Sequence, residues 1–160
     1  MRFLFYDKVL NIEKGQSITG IKTFSLSEEF LRKRFSKIAL VPEVIFIEAM
    51  AQLLGWLIIY SHDFKLLSIM SLVENVDIKS NLRPGFMAEI HGEIISTSKR
   101  DTLGRAKIYV EGEIVASMER IIFSHFHKTD PEELSRRFCY YSGFSPISND
   151  KHGPGKEKIL

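Results

Sequence analysis

Cysteine is almost absent from this chain. Cys139 is the sole one among 160 residues, so no internal disulfide can form. That usage suits a reducing, cytoplasmic setting, and Cys139 is expected as a small buried side chain. A charge of one sign is lacking too: 22 Lys and Arg stand against 20 Asp and Glu, for a net charge of +2. A protein that binds through many phosphate contacts carries a clear basic excess, so nucleic acid is not an expected partner. The opening run Phe3-Leu4-Phe5-Tyr6 is cut short by Asp7 and Lys8, with no small-residue cleavage site after it, and no secretory leader is expected. The most apolar stretch, Val41 to Tyr60, carries Glu43, Glu48 and Gln52. A spanning helix needs about 20 predominantly apolar residues, so a buried core helix is expected there and no membrane span. There is no Cys-x-x-Cys pair and no phosphate-cradling glycine loop. His125 and His127 share one strand face without a third ligand beside them, so no metal and no cofactor are expected. His62, His91 and His152 are expected on the surface.

Hydrophobic residues make up 44% of the chain, and a length of 160 suits one globular domain. Phe3 to Ile12 reads as a strand, Lys14-Gly15 as a turn, and the alternating Ser17 to Phe24 as its hairpin partner. Ser27-Glu28-Glu29 opens a short helix, with Ser27 as its cap, that runs into Arg32-Lys33-Arg34. Pro42 and Glu43 start a long helix whose apolar residues cover nearly every direction around the axis, so it must be enclosed on all sides; Ser61-His62-Asp63 ends it. Strands follow at Leu66 to Ile78, Phe86 to Thr97, Ala106 to Val110 and Glu113 to Phe126, with Asp101 to Gly104 and Glu111-Gly112 as turns. One apolar helix in a strand-rich chain packs most economically inside a curved antiparallel sheet. From Lys128 the pattern changes: Asp130-Pro131-Glu132-Glu133 starts a short helix through Phe138, and an irregular tail follows.

Glu48 is the residue that most needs explaining, because it lies mid-helix among apolar neighbours and an unpaired buried carboxylate costs several kcal/mol. Gln52, four residues on, shares its face. Two readings stand: a core carboxylate held by backbone donors or a neighbouring cation, or an acid–base group of raised pKa at the floor of an apolar pocket.

The run Val41-Pro42-Glu43-Val44-Ile45-Phe46-Ile47-Glu48-Ala49-Met50-Ala51-Gln52, with Phe3 to Val9 upstream and Leu82-Arg83-Pro84-Gly85 downstream, resembles the hot-dog-fold 3-hydroxyacyl-acyl-carrier-protein dehydratases of fatty acid synthesis. Their pattern runs Gly-His-Phe-Pro-Gly, then Pro-Val-Met-Pro-Gly-Val, then Glu-Ala-Met-Ala-Gln. The resemblance implies an α+β hot-dog fold, a curved antiparallel sheet wrapped around one long central helix, over 1–127, with 128–160 as an extension. It implies an acyl thioester, on acyl carrier protein or coenzyme A, as the ligand. The assembly it implies is a homodimer joined edge to edge, or a higher oligomer of dimers. Glu48 and Gln52 take the catalytic positions. Counting fourteen residues back from Glu48, where the family has its histidine, arrives at Arg34; Glu43 stands in place of the carbonyl-polarising glycine, with Val44 beside it; and Ser36-Lys37 replaces a Pro-Gly pair.

These departures bear on the chemistry. Dehydration needs a base for the α-proton, and histidine, with a pKa of about 6.5, serves near neutral pH. Arginine stays protonated below about pH 12 and does not. Arg34 belongs to a basic cluster with Arg32, Lys33 and Lys37, either a solvated helix face or a site for a phosphopantetheine phosphate or an acidic carrier protein. Three functions remain open. One is an impaired dehydratase-like subunit, including one that pairs with a catalytic paralogue as a heterodimer. The others are a thioesterase using Glu48 and a non-enzymatic assembly module.

Overall fold

A computed structural model describes residues 4–32, 38–79 and 81–144. Strands β1 (Lys8–Glu13) and β2 (Ser17–Phe24) form a hairpin that turns at Gly15, whose φ of +75° suits a residue without a Cβ. The strand expected from Phe3 begins later, at Lys8. The Phe5 amide donates to Gln52 Oε1 at 3.0 Å, turning toward the helix, while the Asp7 amide donates to the Ile21 carbonyl of β2 at 2.7 Å. Lys22, buried in β2, donates to Asp7 at 3.0 Å and to Glu28 at 2.8 Å, and so ties the segments on either side of the hairpin together. Helix α1 (Glu29–Arg32) is a single turn. Ser27, expected as its cap, instead pairs its hydroxyl with that of Ser25 at 2.8 Å.

Helix α2 (Glu43–Ser61) follows Pro42, whose extended backbone leads into the first turn. Twelve of its 19 residues are buried, which places it inside the protein although its length and apolarity would also suit a membrane span. The helix stops where His62 is followed by left-handed Asp63 and Phe64. An ion pair from Lys14 to Asp63, and a 2.8 Å bond from the Gly15 amide to Ser61 Oγ, fasten the hairpin turn to that end.

Strands β3 (Leu67–Ile78), β4 (Phe86–Thr97), β5 (Asp101–Val110) and β6 (Glu113–Phe126) complete a six-stranded sheet in the order β1-β2-β4-β5-β6-β3, every neighbouring pair antiparallel. Asp101 to Gly104, expected as a turn, belongs to β5. The chain reverses one step earlier, where the Ser98 amide donates to the Asp101 carbonyl and Ser98 Oγ accepts from Arg100 and Asp101. Helix α2 packs against β2 through β6.

Three strand glycines form the floor beneath α2. A Cβ at Gly20 would meet Leu53 and the Lys8 carbonyl, each at 2.9 Å; at Gly104 it would lie 2.7 Å from Leu54 and 2.8 Å from the Glu93 carbonyl. Gly92 faces Leu54 less tightly, at 3.4 Å. The helix therefore sits closer to the sheet than any strand side chain would allow.

Helix α3 (Pro131–Ser142) extends four residues past the expected Phe138. Asp130 caps it by accepting from the Glu132 and Glu133 amides, and Gly143 ends it at φ +66°. Phe138 is fully buried and stacks at 5.5 Å on Trp56 and 5.7 Å on Tyr60, so this helix joins the main core. Cys139, expected buried, is half-exposed beside it.

The glycine floor yields a direct test. Gly104→Ala is expected to lower stability by about 1–3 kcal/mol, because one of the two clashing atoms is backbone and cannot rotate away. Urea unfolding of the two proteins measures the difference.

Candidate functional site

Glu48 and Gln52 lie one turn apart on the face of α2 that is not pressed into the sheet. Gln52 Nε2 donates to Glu48 Oε1 at 2.8 Å, and Gln52 Oε1 accepts the Phe5 amide at 3.0 Å. The backbone amide can only donate, so it fixes which end of the Gln52 amide points where. The Nε2 group is thereby aimed at the carboxylate. Glu48 is half-buried and forms no ion pair among the described residues, so the reading as half of a structural charge pair is not supported there.

The carboxylate opens on a groove of about 620 Å³ between α2, β3 and α3. Helix α2 supplies Gln52, Gly55, Trp56 and Ile59 along the floor, and β3 supplies Ser68 and Ile69 on one side. The other wall comes from α3, with Leu134, Arg137 and Tyr141. Ser68 Oγ donates to the Gly55 carbonyl at 3.0 Å, and a Cβ at Gly55 would approach that hydroxyl to 3.3 Å, so Gly55 lets β3 come down on the helix. The resulting site is a mainly apolar groove whose lining includes one carboxylate and one guanidinium.

The other residues singled out from the sequence are placed differently. Glu43 and Val44, the first two residues of α2, are exposed and do not line the groove. Arg32 ends α1, while Lys33, Arg34 and Lys37 lie outside the described residues, as do His152 and the tail after 144. Sequence reasoning did not anticipate the α3 wall. Its signal was present in the helical spacing of Leu134, Arg137, Phe138 and Tyr141, which puts all four toward one face.

His62, His125 and His127 lie together, His91 packs on Tyr109, and no histidine lines the groove among the described residues. His62 and His91, expected on the surface, are half-buried: His62 Nδ1 donates to the Ile58 carbonyl at 2.8 Å and His91 pairs with Glu89. His125 Nε2 bonds Thr102 Oγ1 at 2.9 Å, and its ring lies 5.1 Å from that of His62. Burial, reinforced by His62, pushes the His125 imidazole below its ordinary range. Among the described residues no group of three or more His, Cys, Asp or Glu could hold a metal ion.

The model of the FabA-like domain family matches residues 1–119. Among curated proteins, the 3-hydroxyacyl-[acyl-carrier-protein] dehydratase FabZ of Caldicellulosiruptor saccharolyticus is 33% identical over 118 residues, covering 73% of this chain and 84% of that protein. The FabZ of Clostridioides difficile is 31% identical over 118 residues, with 73% and 83% covered. Among solved structures, the dehydratase heterocomplex ApeI:P from Xenorhabdus doucetiae superposes with a TM-score of 0.65 at 16% identity, over 82% of this chain and 88% of that one. The thioesterase HI1161 from Haemophilus influenzae superposes with a TM-score of 0.59 at 7% identity, over 75% and 78%. At such identities the structures share the fold, and the sheet wrapped around α2 is the α+β hot-dog fold.

Two substitutions separate the roles of the polar pair. Glu48→Gln keeps an acceptor for Gln52 and is expected to fold with its urea midpoint essentially unchanged. Gln52→Leu strands the Phe5 amide and is expected to cost about 1–3 kcal/mol. His125 makes a pH test: because its folded pKa is depressed, the unfolded chain takes up a proton first as pH falls through about 6.5, and stability declines with acid. Between pH 7.5 and 5.5, His125→Gln should lose less stability than the wild type in parallel urea melts.

Proposed function

The chain belongs to the FabA-like domain family, and from that premise we propose that it binds acyl thioesters in the Glu48 groove and completes a dehydratase site only with a histidine-bearing partner subunit. The observation that carries this reading is a catalytic carboxylate still held by its glutamine, in a groove that no histidine lines among the described residues. Eliminating water from a 3-hydroxyacyl thioester needs a base for the α-proton, an acid for the departing hydroxyl and a donor at the carbonyl. Glu48, steadied by Gln52, suits the acid. The family's histidine position corresponds to Arg34, which cannot take up a proton at neutral pH. Its glycine position corresponds to Glu43, with Val44 next to it. A dimer of two identical chains then has the carboxylate twice and the base nowhere, so it is impaired.

The sheet edge supports pairing. Among the described residues strand β3 is hydrogen-bonded on one side only, and Leu67, Ile69, Leu72 and Val76 on it are exposed. An open edge carrying apolar side chains invites a second strand, from another copy of this chain or from a paralogue. Joined there, a partner would also close the groove beside Ile69. The carrier is acyl carrier protein or coenzyme A, and the basic run Arg32, Lys33, Arg34 and Lys37 suits an acidic carrier. The single cysteine fits a cytoplasmic setting.

A second reading is thioester hydrolysis, in which Glu48 activates water without any histidine; the groove's carboxylate, with no lining histidine among the described residues, favours it equally. One experiment separates the two. The chain is mixed with a histidine-bearing paralogue and supplied with a 3-hydroxyacyl thioester. Dehydration by the mixed dimer, reduced about 10²-fold or more by Glu48→Gln in this chain, is the expected result. Mixed-dimer activity that ignores Glu48→Gln overturns the shared site, and release of free thiol lost on the same substitution establishes the hydrolase instead.

A further inference from the structure

Building on the acyl-thioester reading above, we infer that α3 makes the groove selective for acyl thioesters carrying an anionic oxygen group, and that Arg137 is the residue that selects them. The family model ends at residue 119, before α3 begins, so this wall is an addition of this chain to the matched domain. It is rigidly placed. Asp130 and Gly143 cap the two ends, Thr129 bonds the Phe64 carbonyl, and Phe138 is locked among Trp56, Tyr60 and Phe64 at 5.5 to 5.8 Å. With Phe138 fixed inward, the residue beside it and the one three further on, Arg137 and Tyr141, are presented along the groove.

Arg137 is the one cation among the described residues that line the groove, as Glu48 is the one anion. Its Nη2 is paired with Glu133 one turn earlier, at an exposed position where such a pair contributes little. A guanidinium has five N–H donors in a planar fork, so it can hold Glu133 and still offer a paired face to a carboxylate or phosphate. An apolar channel with a single guanidinium suits a ligand that is apolar along its length and negatively charged at one point. That charge has two possible sources, the phosphate on the pantetheine arm or a carboxylate on the acyl chain.

Trp56 is the sole tryptophan of the chain and lines the groove, so its fluorescence reports binding to the full-length protein. Three probes share one acyl length: an acyl-pantetheine thioester, its 4′-phosphopantetheine counterpart, and an ω-carboxyacyl-pantetheine. The wild type is expected to bind one of the two anionic probes about tenfold more tightly than the neutral one. Preference for the phosphorylated probe identifies the pantetheine phosphate, and preference for the carboxyacyl probe identifies the chain end. Arg137→Gln should abolish the preference without changing affinity for the neutral probe, and Arg137→Lys should restore part of it. A wild type that binds all three alike, or an Arg137→Gln variant that weakens all three alike, overturns the inference while leaving the function proposed above intact. A wild type that binds none of them overturns both.

Discussion

A helix that is apolar around its whole circumference has to be enclosed, and the rest of this chain is arranged to enclose α2. The sheet curves across one side, and Gly20, Gly92 and Gly104 remove the side chains that would hold the helix away. Segment 4–7 and α3 cover much of the opposite side through Tyr6 and Phe138, both fully buried. Ser68 fastens β3 to the helix backbone at Gly55. The uncovered remainder is the groove. Its location is therefore a consequence of how the enclosure is built, at the place where strand, helix and extension do not quite meet.

A polar pair, Glu48 and Gln52, interrupts that enclosure at the groove. Gln52 is bound at both ends of its amide, once by the Phe5 backbone and once by Glu48, so a residue near the N-terminus helps to orient a side chain in the middle of α2. Two residues after Phe5, the Asp7 amide donates to the Ile21 carbonyl at 2.7 Å, so the same segment is tied to the helix at Phe5 and to β2 at Asp7. The Phe5 bond also aims the Gln52 donor at the carboxylate. Half-buried at the groove, Glu48 accepts one hydrogen bond from Gln52 and has no charge partner among the described residues.

Several features were legible in the residues themselves. The continuous apolar circumference of 43–61 announced an enclosed helix, and the strict alternation of β2 and β4 announced half-buried strands. Glu48 stood out because an acid inside such a helix has an energetic cost, and Gln52 followed from helical spacing. The resemblance to the dehydratases rested on the same stretch, and the family match bears out both the membership and the fold. Other features misled local reasoning. Asp101 to Gly104 has turn-forming residues, yet the sheet extends β5 through it, because Gly104 is needed as a gap beneath Leu54. The segment before Lys8 has strand-forming residues, yet a side-chain acceptor on α2 captures the Phe5 amide.

By itself, then, the sequence determined most of the strands, the enclosed helix and the carboxylate at its centre. These are local matters: periodicity, composition and spacing act over a few turns and do not depend on what lies opposite. Only the tertiary structure decided that the Gln52 amide is tied down by Phe5, that β3 forms one edge of the sheet among the described residues, and that α3 folds back so that Arg137 and Tyr141 line the same groove as Glu48. Each of those joins residues dozens of positions apart. Such contacts are selected by the shape left after the helix is buried, and no spacing along the chain encodes that shape.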